Sequence, residues 1–179
     1  KDKKPIYFGS GIHASFPVHI EMYRSHRLAI GVNTRVGKII SRKLELGIRF
    51  DYDYRFIKQN TRILTPESTL QERALHNNFS LFCLKPNIQF NMNPHWYWGA
   101  ETGVGYVLSD EGGKIGMGFV SEYGDHQQFG ICSGLYVGRY FMISPDKNKL
   151  GVSMNLTQFL AHGHAENSLG FKFNYRSKN

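Results

Sequence analysis

The 179-residue sequence has no stretch approaching the ~20 consecutive apolar residues that a membrane-spanning helix requires. That absence excludes helical spans and leaves β-barrels untouched, because a barrel strand carries only about ten residues of alternation. Cysteine is scarce: Cys83 and Cys132 are the only two, too few for the disulfide frameworks of small secreted domains. Both read as inward-facing strand residues, and the expectation is that they stay unbonded. There is no low-complexity tract and no linker, so residues 1–179 are expected to form one domain. No charged-then-apolar leader precedes Lys1, so a secretory signal is expected to have been removed beforehand. The sequence also lacks a Lys/Arg cluster on any helix-like stretch and any RNA or DNA motif. Its formal charge of +8 is scattered, and nucleic acid is not expected as a partner.

What is present is an amphipathic mixture. Aromatics make up 14% of the chain and there are 19 glycines, yet mean hydropathy is only -0.39, so apolar residues must be interleaved with polar ones. The interleaving has period two, the mark of strands with two unlike faces. From Leu44 to Phe56 the even positions are Leu44, Leu46, Ile48, Phe50, Tyr52, Tyr54 and Phe56, and the odd ones Glu45, Gly47, Arg49, Asp51, Asp53 and Arg55. No helix separates those two sets. Leu28 to Gly37, Phe82 to Asn91, Trp96 to Leu108 and Leu169 to Tyr175 repeat the scheme. Three further segments, about Ile6 to Val18, Phe129 to Ile143 and Leu150 to His162, are weaker. Arg139 falls out of parity and Gln158-Phe159 slips by one, which predicts bulges or interface positions. The reading is therefore all-β: a transmembrane antiparallel up-and-down barrel of about eight strands.

Connection lengths alternate in the way such barrels require. Brief polar turns occur around Ser41-Arg42-Lys43, Asn93-Pro94-His95 and Ser144-Pro145-Asp146-Lys147-Asn148. Long connections run from about Gln59 to Asn77 and Ser109 to Gln128, with shorter ones near Tyr23 to His26 and Gly163 to Glu166 at the same end. The short-turn end is expected to be periplasmic, with both chain termini on that side. A helical turn is expected within Pro66 to His76.

Glycine assigns the faces. The polar face carries Gly9, Gly11, Gly31, Gly37, Gly47, Gly99, Gly103, Gly105, Gly130, Gly134, Gly138, Gly151 and Gly170. Glycine weakens a solvated strand but makes room in a narrow interior for long side chains. Arg35, Arg49, Arg55, Lys85 and Lys172 are then expected to meet Glu45, Asp51, Asp53 and Glu101 inside the barrel. On the bulky face Phe8, Phe90, Trp96, Trp98, Phe141, Phe173 and Tyr175 are expected as interface aromatics at the periplasmic rim. Phe16, Tyr54, Phe56, Tyr106 and Phe129 are expected toward the other rim. A soluble ligand-binding barrel, apolar inside, is the alternative orientation.

With Lys85-Pro86-Asn87-Ile88-Gln89-Phe90 followed by Trp98-Gly99-Ala100-Glu101-Thr102-Gly103-Val104-Gly105-Tyr106, the chain resembles the small eight-stranded outer-membrane proteins typified by OmpX and the OmpA transmembrane domain. That resemblance implies an integral place in the bacterial outer membrane and says little about activity. Many relatives finish on an aromatic residue; here Phe171, Phe173 and Tyr175 alternate correctly, but Arg176 to Asn179 follow.

Some small outer-membrane barrels modify lipid A with His, Ser and acidic residues near the outer rim, and His162, His164, Glu166 and Ser168 are the candidates for that chemistry. The His-x-Ser pattern of the deacylases is absent, so a non-enzymatic role ranks above a lipid A acyl hydrolase or acyltransferase. No metal or cofactor is expected, because His162 and His164 with Glu166 or His126 make a weak ligand set. An open aqueous pore is not expected from eight strands. The expected partners are outer-membrane lipid and lipopolysaccharide, whose phosphates Arg24, Arg27, Arg62 and Arg73 suit, together with a protein partner in an envelope complex.

Overall fold

A computed structural model describes residues 5–18, 26–57, 78–109, 129–143, 148–161 and 164–178. They form eight strands: β1 (Ile6–Pro17), β2 (His26–Ile39), β3 (Leu44–Ile57), β4 (Phe79–Asn91), β5 (Trp96–Ser109), β6 (Phe129–Met142), β7 (Asn148–Ala161) and β8 (His164–Lys178). Each pairs antiparallel with the next, and β1 closes on β8 from Tyr7 opposite Lys178 to Pro17 opposite Ser168. Closure leaves no unpaired sheet edge. The chain has the up-and-down barrel that its alternation and turn spacing predict.

Side chains sort by parity. On β3, Glu45, Arg49, Asp51 and Arg55 are buried while Leu46, Ile48, Phe50 and Phe56 are exposed. The same sorting holds elsewhere, with Ile12 63% and Phe129 69% exposed on the outer surface. This is the reverse of a water-soluble barrel: the buried set is polar and the uncovered set is apolar.

Two tight connections explain why the strands reverse where they do. Ser41 Oγ accepts from the backbone N–H of Lys43 (3.3 Å) and Leu44 (3.1 Å) between β2 and β3. Asn93 Oδ1 accepts from His95 (2.9 Å) and Trp96 (2.7 Å) between β4 and β5. A short polar side chain thus replaces the ladder partner that the turn removes. Between β6 and β7, Ile143 donates its N–H to the Asn148 carbonyl at 3.2 Å. These connections lie at one end, with the start of β1 and the end of β8; the connections containing residues 58–77 and 110–128 leave from the other.

Several sequence expectations are corrected. Phe159 does not slip: Cys132 stands opposite Phe159 and Phe159 opposite Glu166 in continuous ladders, so Phe159 points inward and Gln158 outward. Gln158 keeps its outward place by donating to Asn167 at 2.9 Å. Arg139 also stays in register, on the outer face, with its guanidinium 5.7 Å from the Trp96 ring and 5.3 Å from Phe141. The register shift falls instead between His26 and Leu28 on β2. Strand β8 begins at His164 and runs to Lys178, absorbing residues read as connection at one end and as tail at the other. The helical turn expected within Pro66 to His76 lies outside the described residues.

The cysteines are joined. Cys83 on β4 and Cys132 on β6 form a disulfide with Cα atoms 6.5 Å apart, against the expectation that they stay unbonded. Strand β5 lies between them, and the bridge passes over Gly105: a Cβ there would meet Cys132 Sγ at 2.5 Å and the Phe159 ring at 2.7 Å. The missing side chain is what lets two strands that share no ladder be bridged.

Candidate functional site

The interior is the part of the molecule where chemistry-bearing side chains converge, and strand β3 is its spine. Its odd residues lay Glu45, Arg49, Asp51, Asp53 and Arg55 in a column along the barrel axis, to which the other strands bring partners.

Nearest the tight turns, Arg176 of β8 donates through Nη1 to both Glu45 carboxylate oxygens at 3.0 Å and to the Tyr140 hydroxyl at 3.1 Å. Its guanidinium lies 3.7 Å from the Tyr7 ring centroid. Asn91 donates to Glu45 at 2.9 Å, and Gln89 donates to Asn91 at 2.9 Å and Tyr140 at 3.1 Å while accepting from Arg35 Nη1. Tyr97, Tyr136 and Tyr140 pack together beside this layer, the Tyr97 and Tyr140 rings stacked at 4.3 Å.

At mid-height Glu101 of β5 and Asp51 of β3 share three cations. Arg49 Nη1 donates to Glu101 Oε2 at 2.6 Å, and Lys85 pairs with Glu101 Oε1. Lys85 also reaches Asp51 Oδ2 at 2.6 Å, and Lys172 reaches the same oxygen at 2.6 Å. Five charged side chains removed from water in this way hold one another ionised, because isolated burial of any one is prohibitive.

Toward the other end His13 donates from Nε2 to Asp53 Oδ1 at 2.6 Å, and its Nδ1 accepts from Asn33 at 3.5 Å. Arg55 pairs with Glu166 and donates from Nη2 to Ser168 Oγ at 3.1 Å. A cavity of about 30 Å³ lies here, lined in part by His13, Asp53, Lys172, Phe159 and Ser168.

The network therefore brings together Arg35, Glu45, Arg49, Asp51, Asp53, Arg55, Lys85, Glu101 and Lys172. Several participants escape the sequence reading, among them His13, Gln89, Glu166 and Arg176. His13 sits in a weak segment, Gln89 is uncharged, Glu166 was read as connection, and Arg176 as tail. Strand length was the missing signal: counting parity out to Lys178 puts Arg176 inside.

Of the residues considered for lipid A chemistry, the two whose side chains are described are both engaged by Arg55. Ser168 is held by Arg55, and Glu166 is paired with the same guanidinium. His164 stands on β8 opposite Ala161, and His162 lies outside the described residues. The interior His13 has both ring nitrogens engaged, by Asp53 and Asn33, so neither is left to take a proton from a hydroxyl. His126 also lies outside the described residues; among those described, no three His, Cys, Asp or Glu side chains are placed to hold a metal ion.

On the outer surface Phe8, Trp96, Trp98, Phe141, Phe173 and Tyr175 are exposed and Phe90 is half-buried. Phe90 stacks on Trp98 at 4.9 Å near the tight-turn end, whereas Phe173 stands opposite Ile12 and Val152, nearer the middle of β8. At the other end Tyr54 lies 5.1 Å from Phe56, and Tyr106 lies 5.0 Å from Phe129.

No protein-family model matches this chain, and no curated protein matches it. Solved structures do. The barrel is similar to Neisserial surface protein A, with a TM-score of 0.63 and 14% identity over 97% of each chain. It is also similar to Ail, the attachment invasion locus protein of Yersinia pestis, with a TM-score of 0.55 and 12% identity over 97% of this chain and 99% of Ail. With its closed ring of eight antiparallel strands, the chain has the fold of the small eight-stranded outer-membrane barrels.

Proposed function

We propose that the protein is an integral barrel of the bacterial outer membrane that serves as an anchor or interaction module, with both chain ends in the periplasm. The observation that carries this reading is the inversion of its surface: apolar side chains dominate the outside of every strand while the charged ones of the strands, Lys38 and Arg139 excepted, are mostly enclosed. In water such a surface far exceeds the apolar patch a soluble monomer tolerates. In hydrocarbon it is the expected one, with backbone polar groups satisfied by closure. The end carrying the tight turns suits the periplasm, since small barrels keep their longer connections outside.

A filled interior argues for binding at the rims over transport or catalysis within. The long connections contain Arg62 and Arg73, and Arg24 precedes β2; these cations suit the phosphates of lipopolysaccharide. Ail has been solved with a heparin analogue, sucrose octasulfate, which supports a polyanion as the class of ligand. A protein partner in an envelope complex fits the same surface.

The test is fractionation and native purification. The protein should sediment with outer membranes, resist carbonate extraction, and shift mobility on a gel according to whether the sample is boiled. Recovery in the soluble fraction without detergent would sink the reading. Fatty-acid release from lipopolysaccharide by the purified barrel would favour an enzyme instead.

A further inference from the structure

Among the interior cations of the described residues, Arg35 is the one with no carboxylate partner there. Arg49 and Lys85 have Glu101, Lys172 has Asp51, Arg55 has Glu166 and Arg176 has Glu45. Arg35, only 7% exposed, has the neutral side-chain oxygen of Gln89 as its acceptor and the Tyr7 ring 5.2 Å from its guanidinium carbon. A buried cation held by a neutral amide alone is expensive, because the ion is desolvated and its charge is left uncompensated.

The surroundings repeat the shortage. Arg35 Nε, Arg35 Nη2, Arg49 Nε and the Tyr7 hydroxyl are all buried and find no protein acceptor among the described residues. Tyr7, Arg35, Arg49 and Arg176 line one small cavity of about 20 Å³, the room of a single small molecule or ion. Glycines seat two of the side chains that line it: a Cβ on Gly47 would stand 3.3 Å from Arg35 Nε, and one on Gly37 would overlap the Tyr7 hydroxyl. A single water offers only two acceptor sites and no charge. An anion accepts from several donors at once and neutralises the guanidinium as well.

We propose that this cavity is a binding site for one small inorganic anion of chloride size, coordinated by Arg35 with Arg49 and Tyr7. The approach to it is prepared. A mouth of about 480 Å³ at the tight-turn end is lined by Arg42, Lys43, Lys149 and Arg176, with Glu45 the one acidic group among the described residues that line it. Its excess of positive charge raises the local anion concentration at the entrance. Arg176 borders both the mouth and the cavity.

Bromide, which substitutes for chloride and scatters anomalously, is the direct probe. Crystals of the detergent-purified full chain grown with sodium bromide should show a bromine peak between Arg35, Arg49 and Tyr7. A wild-type map without that peak, with water alone in the cavity, overturns the proposal. Thermal unfolding gives the second reading, comparing sodium chloride with sodium gluconate, an anion too large for the cavity, at equal ionic strength. Wild-type protein should melt about 2–4 °C higher in chloride, and Arg35→Met should melt equally in both salts. A chloride effect that persists in Arg35→Met places the anion elsewhere and also overturns the assignment. Should that variant fail to fold, the wild-type bromide map decides.

Discussion

At the scale of single residues the interior is organised by hubs rather than by isolated pairs. Glu101 faces Arg49 at 2.6 Å, Lys85, and Lys172 at 3.8 Å, so removing its charge leaves three buried cations sharing Asp51 alone. Glu101→Gln keeps the shape and deletes the charge; we expect it to cost about 3–5 kcal/mol, read from urea unfolding of the barrel folded into lipid vesicles. A loss below about 1 kcal/mol would show that water in the interior already screens these groups. Period two was enough to place Glu101, Arg49 and Asp51 inside, because on regular strands parity alone decides the face. It was silent on who pairs with whom. Arg176 meets Glu45 across 131 positions of sequence, and such a contact follows from barrel closure and stagger, neither of which alternation records.

Strands β4 and β5 form the weakest of the ladders in one respect. Cys83 faces Gly105 and Leu84 faces Val104, but the next pair is Asn87 with Glu101; the register is kept while Lys85 and Pro86 go without partners on that side. Proline has no N–H to give, and a proline inside a strand interrupts whichever ladder that donor would have served. The disulfide spans this seam, fixing β4 to β6 over β5. We therefore expect Cys83→Ser or Cys132→Ser to lower stability by about 2–4 kcal/mol, and the denatured wild type to migrate faster on a gel without reductant than with it. Gly105→Val should mimic the cysteine variants, because its side chain would occupy the space of Cys132 Sγ and the Phe159 ring; identical migration with and without reductant in the wild type would disprove the bridge. The strands themselves were readable from the sequence, and so were the turns at Ser41 and Asn93. The bond was not, because it joins strands that are not neighbours, and Phe159 misled because an aromatic on the inner face looks like a slipped register until its cover over Gly105 and Gly130 is seen.

For the whole molecule, eight segments and alternating connection lengths were sufficient to foresee a closed barrel, since eight antiparallel strands leave two edges that only each other can satisfy. The state of the lumen follows from the layers of charge and tyrosine that cross it. Reconstituted into planar bilayers, the protein should give no steady ion conductance, and long-lived open steps in single-channel recordings would contradict the packing described here. The alternation of side chains has one more consequence, which concerns the route and not the destination. If the proposed location holds, the chain must first be threaded across an inner membrane without halting there. By placing an ion, amide or glycine after nearly every greasy residue, these strands never offer the translocation machinery a segment hydrophobic enough to release sideways. Only when the ring closes do the two sets of side chains part company.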